Sequence, residues 1–233
     1  MTRVLVGLPT YDNTADARQI LALQAAQRDN LYLDIKTHSV SLLAHSFNLF
    51  WCDALNDRTY DYFLLMHADI VPLAPVSWIR KMISEADKIH TDLFSIVSPV
   101  KSPQGYTSTA LAGETKRKLT MHEVMQLPET FTGEHVQRLF GQDEGFLLVN
   151  TGLMLCDLRH NRDKWEDMHF GISDWIDRVD GKFIACNEPE DWDFSRQAHA
   201  LGLRVAASRC VTIAHRGGTD YRNDVEWGVE HDV

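Results

Sequence analysis

No run of about 18 apolar residues occurs anywhere in the chain, so no membrane-spanning helix is expected. Basic residues are in the minority: 23 Lys and Arg stand against 33 Asp and Glu, a formal net charge of −10. Such a surface does not neutralise a phosphate backbone, which argues against nucleic acid as a partner. The one basic cluster, Lys116-Arg117-Lys118, is too short for a groove-wide footprint and is read as a solvated loop. Cysteine is sparse and scattered. Cys52, Cys156, Cys186 and Cys210 include no CxxC pair and no close Cys/His spacing, so neither a zinc site nor a disulfide framework is expected. That usage suits a reducing compartment. The first apolar strand starts at Val4, which leaves no room for a signal peptide, and a cytoplasmic location is expected. Repeats and low-complexity tracts are absent.

What remains is an ordinary globular composition, 44% hydrophobic and 24% charged over 233 residues. This is enough for one sizeable α/β domain. Val4–Leu8 is a short β-branched run of the kind buried in parallel sheets. Pro9 to Thr14 follows as a turn. Ala17, Ile20, Leu21 and Gln24 then fall at helical spacing. Leu31, Leu33 and Ile35 alternate as in a strand. Leu43, Phe47, Phe50, Trp51, Ala54 and Leu55 form one helical stripe, and Tyr62–Met66 is a second buried strand. Ile79, Met82, Ile83, Ala86 and Ile89 pattern another helix, before a strand at Leu93–Val97.

Alternating strands and helices imply a mixed, mainly parallel sheet with helices on both faces, in a single domain. Residues 1–100 form the first half. Residues 101–145 are polar and weakly periodic and read as a loop or lid excursion. Residues 146–233 form the second half, with a C-terminal flap. Within them Phe146–Leu155 is strand-like but broken by Asn150-Thr151-Gly152. Trp175, Ile176 and Val179 suggest a short helix, and Phe194, Ala198 and Leu201 another.

Ligands in such sheets bind beyond the carboxyl ends of the strands, where Asp12 and Asp69 are both expected. In Met66-His67-Ala68-Asp69, a strand-end carboxylate with a His two residues earlier can ligate a hard divalent cation. The same residues would serve equally as a turn cap and a core histidine. Glu188-Pro189-Glu190-Asp191-Trp192-Asp193 gathers four carboxylates ahead of a helix. They suit either helix-dipole complementarity or a general base. His215 follows the run Val211–Ala214 and precedes Arg216-Gly217-Gly218, where an arginine among glycines can approach a diphosphate. Asn150-Thr151-Gly152 is either a β-bulge or a point of close approach.

Taken in order, these segments resemble the GT-A glycosyltransferases: the family-2-like group and retaining enzymes such as polypeptide N-acetylgalactosaminyltransferases and mannosylglycerate synthase. Val4 to Asp12 is similar to their first strand and nucleotide-binding turn. His45-Ser46-Phe47-Asn48 resembles the helix that bears an Asn before the DXD strand. Asn150 to Leu155 resembles the strand lining the donor sugar. Glu190 to Phe194, with Gly202 and His215 behind it, resembles the ED helix and its metal-binding His.

The resemblance implies a nucleotide-diphospho-sugar donor, a hydroxyl acceptor, and Mn²⁺ or Mg²⁺. It implies donor contacts from Pro9, Thr10, Tyr11, Asp12, Asn48, His67, Ala68, Asn150, Thr151, Gly152 and Arg216. Asp69 and His215 would hold the metal, with His67 as a third contact. Asp191 or Glu190 would act on the acceptor. His67 stands where the family's first motif Asp is expected. The alternatives are a sugar-1-phosphate nucleotidyltransferase and a non-catalytic nucleotide-sugar or carbohydrate-binding domain. The first needs a Gly- and Lys-bearing turn after the first strand, where this chain has Pro9-Thr10-Tyr11-Asp12.

Overall fold

A computed structural model describes residues 1–10, 14–74, 76–113 and 116–226. In chain order, β1 (Thr2–Pro9) leads to α1 (Ala17–Ala26), β2 (Leu31–His38) and α2 (Leu43–Asn56). There follow β3 (Tyr62–Met66), β4 (Ile70–Pro72), α3 (Trp78–Lys88) and β5 (Leu93–Ile96). The middle of the chain holds β6 (Tyr106–Ala112), β7 (Lys116–Thr120), α4 (Met121–Gln126), β8 (Thr130–Phe131), α5 (Gly133–Phe140) and β9 (Phe146–Leu148). Then come β10 (Leu153–Asp157), α6 (Arg162–Glu166), β11 (Ser173–Val179), β12 (Lys182–Glu188) and α7 (Glu190–Ala200). The last strands are β13 (Val205–Ser208), β14 (Ile213–Arg216) and β15 (Asp220–Arg222).

The main sheet has seven strands in the order β2-β1-β3-β10-β5-β13-β8. β1 pairs in parallel with β2 and β3, and β5 with β13, while β10 and β8 run the other way. Successive residues of each strand point to opposite faces, so two apolar layers form. Leu5, Phe63, Leu65, Met154 and Cys156 meet α2, α4 and α7 on one face. Val4, Val6, Tyr62, Leu64, Leu153 and Leu155 meet α1 and α3 on the other. The expected mixed α/β sheet with helices on both faces is therefore what the chain builds. No helix of the described residues is long and apolar enough to cross a membrane.

Several sequence-based expectations change. α1 forms, but its core face is Gln19, Ala22, Leu23 and Ala26. Ile20 and Leu21 are 38% and 61% exposed, because the small alanines allow close approach to the sheet and the polar Gln19 is buried with them. Trp175, Ile176 and Val179 lie not on a helix but on β11, which pairs with β12 in a two-stranded hairpin turned at Asp180-Gly181. Its Trp and β-branched residues favour strand over helix, and both residues at the tip have positive φ.

The excursion at 101–145 contains three strands and two helices. β6 pairs with β7 and β9 in a separate three-stranded sheet. Lys116-Arg117-Lys118 opens β7 instead of a solvated loop. Lys116 meets Glu188, Arg117 meets Glu123, and Lys118 lies over the Trp192 ring. Short strands and Thr-capped helices, such as the Thr120/Glu123 capping box of α4, explain the weak periodicity there.

β1 packs closely against α2. A Cβ on Gly7 would sit 2.8 Å from the Phe50 ring. Gly7→Ala is accordingly expected to lower stability by about 1–3 kcal/mol through overpacking. Urea unfolding measures this, and a midpoint equal to that of the parent protein would refute the tight contact.

Candidate functional site

β3 ends at Met66, and the chain turns through His67-Ala68-Asp69 into β4. β4 belongs to a second three-stranded sheet with β14 and β15. The antiparallel register sets His215 opposite Ile70, and Arg216 donates its backbone N–H to the Asp69 carbonyl at 2.7 Å. The pairing brings two side chains 146 residues apart together: His215 Nε2 lies 3.3 Å from Asp69 Oδ2.

The other face of the His215 ring fixes its tautomer. Nδ1 is 2.7 Å from the Pro99 carbonyl, which only accepts, so in the neutral ring Nδ1 carries the hydrogen and Nε2 presents a lone pair toward Asp69. A carbonyl behind the imidazole is the arrangement that orients metal-ligating histidines. Asp69 Oδ2 also accepts from Lys101 Nζ, while Oδ1 is buried without a partner among the described residues. Burial by itself would raise the Asp69 carboxyl, but a hydrogen bond from the His215 Nε2–H, present only when the ring carries both protons, and one from Lys101 outweigh it and hold the group well below the usual carboxylate range. A permanently ionised carboxylate beside an imidazole lone pair fits Mn²⁺ or Mg²⁺.

Among the described residues no group of three His, Cys, Asp or Glu could hold a metal. Asp69 and His215 are thus a pair, and His67 does not complete it. Burial pushes the His67 imidazole down to about 4, keeping it neutral at pH 7. Its Nε2 meets Thr151 Oγ1 at 3.2 Å, and its backbone N–H is held by the Gly152 carbonyl at 2.9 Å.

A cleft of about 460 Å³ opens beside this turn, between the ends of β1 and β3, the start of α1 and the approach to α2. Pro9, Thr10, His67, Ala68 and Asp69, all singled out from the sequence, line it. Tyr11 and Asp12 lie outside the described residues. Sequence reasoning missed Asp16, Val40, Ser41 and Ser46 on its walls. Asp16 had a legible signal: it caps α1, its side chain accepting from Arg18 N at 2.8 Å. Thr10 Oγ1 and Ser46 Oγ, like Asp69 Oδ1, are buried and have no partner among the described residues.

Three expected donor contacts are committed elsewhere. The Asn48 amide is engaged at both ends by the backbone of Phe170, at 2.7 and 2.8 Å, and does not line the cleft. It secures Phe170 in the aromatic cluster with Trp51 and Phe194. Asn150 spans from the Ile96 carbonyl to the Gly152 N–H, both at 3.0 Å. It shapes the crossing between β9, in one sheet, and β10, in another. The Arg216 guanidinium joins Asp16 and Asp220, so it is an internal tie in this state. Thr151 and Gly152 contact His67, as described, from that same crossing.

α7 starts at Glu190 with Pro189 as its cap, which places Glu190, Asp191 and Asp193 in the first turn. Ser195 Oγ ties the helix to the Val149 N–H at 3.0 Å, one residue before the crossing that reaches His67. Burial and the neighbouring Glu190 carboxylate push the Asp191 carboxyl up to about 7, against its hydrogen bond from the Trp192 N–H. Burial also raises Glu190. A carboxylate titrating near neutrality is suited to general base work.

Because the folded-state value for Asp191 lies above the unfolded one, its contribution to stability is lost as pH rises from about 4 to about 7. Asp191→Asn should therefore gain stability relative to the parent across that window. Thermal unfolding at pH 4, 6 and 8 reads this out, and a difference that stays flat with pH would show Asp191 to be unperturbed.

No known family's sequence profile matches the chain, and no curated protein matches it by sequence. Solved structures do. A197 from STIV aligns with a TM-score of 0.55 at 11% identity, covering 93% of this chain and 86% of that one. The Drosophila β-1,4-galactosyltransferase 7, crystallised with manganese, UDP-Gal and xylobiose, gives 0.47 at 12% identity over 94% and 72%. S. aureus TarS in complex with UDP-GlcNAc gives 0.42 at 13% identity over 89% of this chain and 56% of that one, so this chain spans little more than half its length. At these identities the likeness is one of fold. With its reversed strand inside a mainly parallel sheet and its cleft at the strands' carboxyl ends, the chain shares the fold of A197 from STIV.

Proposed function

We propose that the protein is a metal-dependent glycosyltransferase that moves a sugar from a nucleotide-diphospho-sugar to an acceptor hydroxyl. One observation carries the reading: the cleft beside the Asp69–His215 pair has three walls, Thr10, Ser46 and Asp69, each with a buried polar atom unpartnered among the described residues. Unpaired buried polar groups are costly unless a ligand satisfies them. Hydroxyls and an ionised carboxylate lining one cleft suit a nucleoside with a metal-bound diphosphate.

In this reading Thr10, Ser46 and Asp16 hold the nucleoside, with Pro9, Tyr11 and Asp12 as further donor contacts. Ala68, His67, Thr151 and Gly152 form the floor between the nucleoside and the sugar. Asp69 and His215 would hold the cation, a pair small enough to suit Mg²⁺ bound beside a substrate's phosphates. A divalent cation there supplies Lewis acidity that offsets charge on the departing nucleoside diphosphate. At the acceptor, Asp191 takes the hydroxyl proton as the oxygen bonds to the anomeric carbon and the bond to the diphosphate breaks. Glu190 keeps Asp191 basic by raising its pKa.

Asp69→Ala should abolish Mn²⁺-dependent donor binding. Calorimetry with UDP-, GDP- and dTDP-sugars measures this, and donor affinity unchanged in the variant would remove Asp69 from the site. The acidic limb of kcat/KM should turn near pH 7 and disappear in Asp191→Asn, with donor affinity kept. Loss of donor affinity instead would move Asp191 to the donor side. Folded protein that turns over no donor, by transfer or by EDTA-sensitive hydrolysis, would favour a non-catalytic binding domain.

A further inference from the structure

The Asp69–His215 pair already has a cation against it. Lys101 Nζ sits on Asp69 Oδ2, the same oxygen that faces His215 Nε2. Lys101 comes from the segment that also orients the imidazole, through the Pro99 carbonyl on Nδ1 and Ser98 Oγ at 3.4 Å. Its stem passes Gly217, just beyond the Asp69 and His215 strands. A Cβ on Gly217 would come within 3.2 Å of Lys101 Cδ, so a side chain there would crowd the stem. The ammonium is partly exposed, and among the described residues Asp69 is its only ion-pair partner. Lysine is well suited to moving: its charge is compact and its four-carbon stem is flexible.

The geometry points to Lys101 as a displaceable counter-ion of the metal site, a role that rests on the metal-pair reading above. Without a divalent cation it neutralises Asp69. When one binds, the two charges cannot share Oδ2, and the ammonium swings out on its stem to meet the diphosphate of the donor. Lys101 is therefore a positioning residue with two states. It weakens metal binding to the empty protein and strengthens diphosphate binding to the metal-loaded one, so cation and donor arrive cooperatively.

The test measures Mn²⁺ binding to the nucleotide-free protein by calorimetry, before any turnover. Lys101→Met keeps the stem against Gly217 and removes the charge. It should bind Mn²⁺ roughly tenfold more tightly than the parent, since an ammonium within a few ångströms of a dication costs that much even when largely screened. Lys101→Arg should bind like the parent. With saturating Mn²⁺, Lys101→Met should lose several-fold in affinity for UDP, GDP or dTDP, whichever the parent binds, with little change for the matching monophosphate.

Equal or weaker Mn²⁺ binding in Lys101→Met, with binding abolished in Asp69→Asn, would overturn the counter-ion role and leave the metal pair standing. Tighter Mn²⁺ binding with unchanged diphosphate affinity would overturn the second state. Mn²⁺ binding absent from every protein, or equal in Asp69→Asn and the parent, would overturn the metal pair and this inference together.

Discussion

Strand β10 runs against both of its neighbours, β3 and β5, and the site depends on that reversal. A strand parallel to them would begin at the opposite edge of the sheet. Because β10 is reversed, the residues that precede it arrive where β3 ends. The 149–152 crossing can then close on the turn after Met66: Gly152 caps the His67 N–H, Thr151 meets the His67 ring, and Val149 is tied to α7 through Ser195. Asn150 makes the crossing possible. Its amide and carbonyl satisfy backbone groups that the change of sheet would otherwise leave buried and unpaired.

Two carboxylates at this edge are driven in opposite directions. Asp69 has cationic or hydrogen-bonding partners and stays ionised. Asp191 is buried with another acid beside it, and the backbone N–H groups of Trp192 and of Asp191 itself do not offset that burial, so it gains a proton near neutral pH. The contrast follows from placement. Asp69 lies where two sheets and the 98–101 segment converge, and Asp191 lies in the first turn of a helix packed into the core. Environments that separate two acids in this way also separate the tasks they can perform.

Much of the fold was legible because burial imposes periodicity. Val4–Leu8, Tyr62–Met66 and the Phe47–Ala54 stripe all occupy the core as their patterns imply. The misreadings have physical causes. Gln19 takes a core position on α1 since its amide reaches the carbonyls of His67 and Ile70, a partnership invisible in a hydrophobicity pattern. β11 was mistaken for a helix because an exposed hairpin is under no pressure to alternate. In the candidate site, Asp69 and His215 stood out as strand-end residues. Ser46 and Lys101 did not, and Asp16 shows only as a helix cap, because their place in the site comes from where distant segments meet. Asn48 and Arg216 show the converse: polar residues at suggestive positions whose hydrogen bonds are already used within the protein.

The β11–β12 hairpin has a consequence for how the protein behaves in bulk. Nearly all its residues are exposed, with Phe183 at 77% and Ile176 at 73%, and neither of its outer edges pairs with another strand among the described residues. Open strand edges flanked by apolar side chains are templates for pairing between molecules. At neutral pH the net charge of −10 keeps molecules apart. Near the isoelectric point of about 5.5 that repulsion vanishes while the edges remain. Colloidal stability thus falls to the acidic surface, and it is expected to be lowest near the isoelectric point.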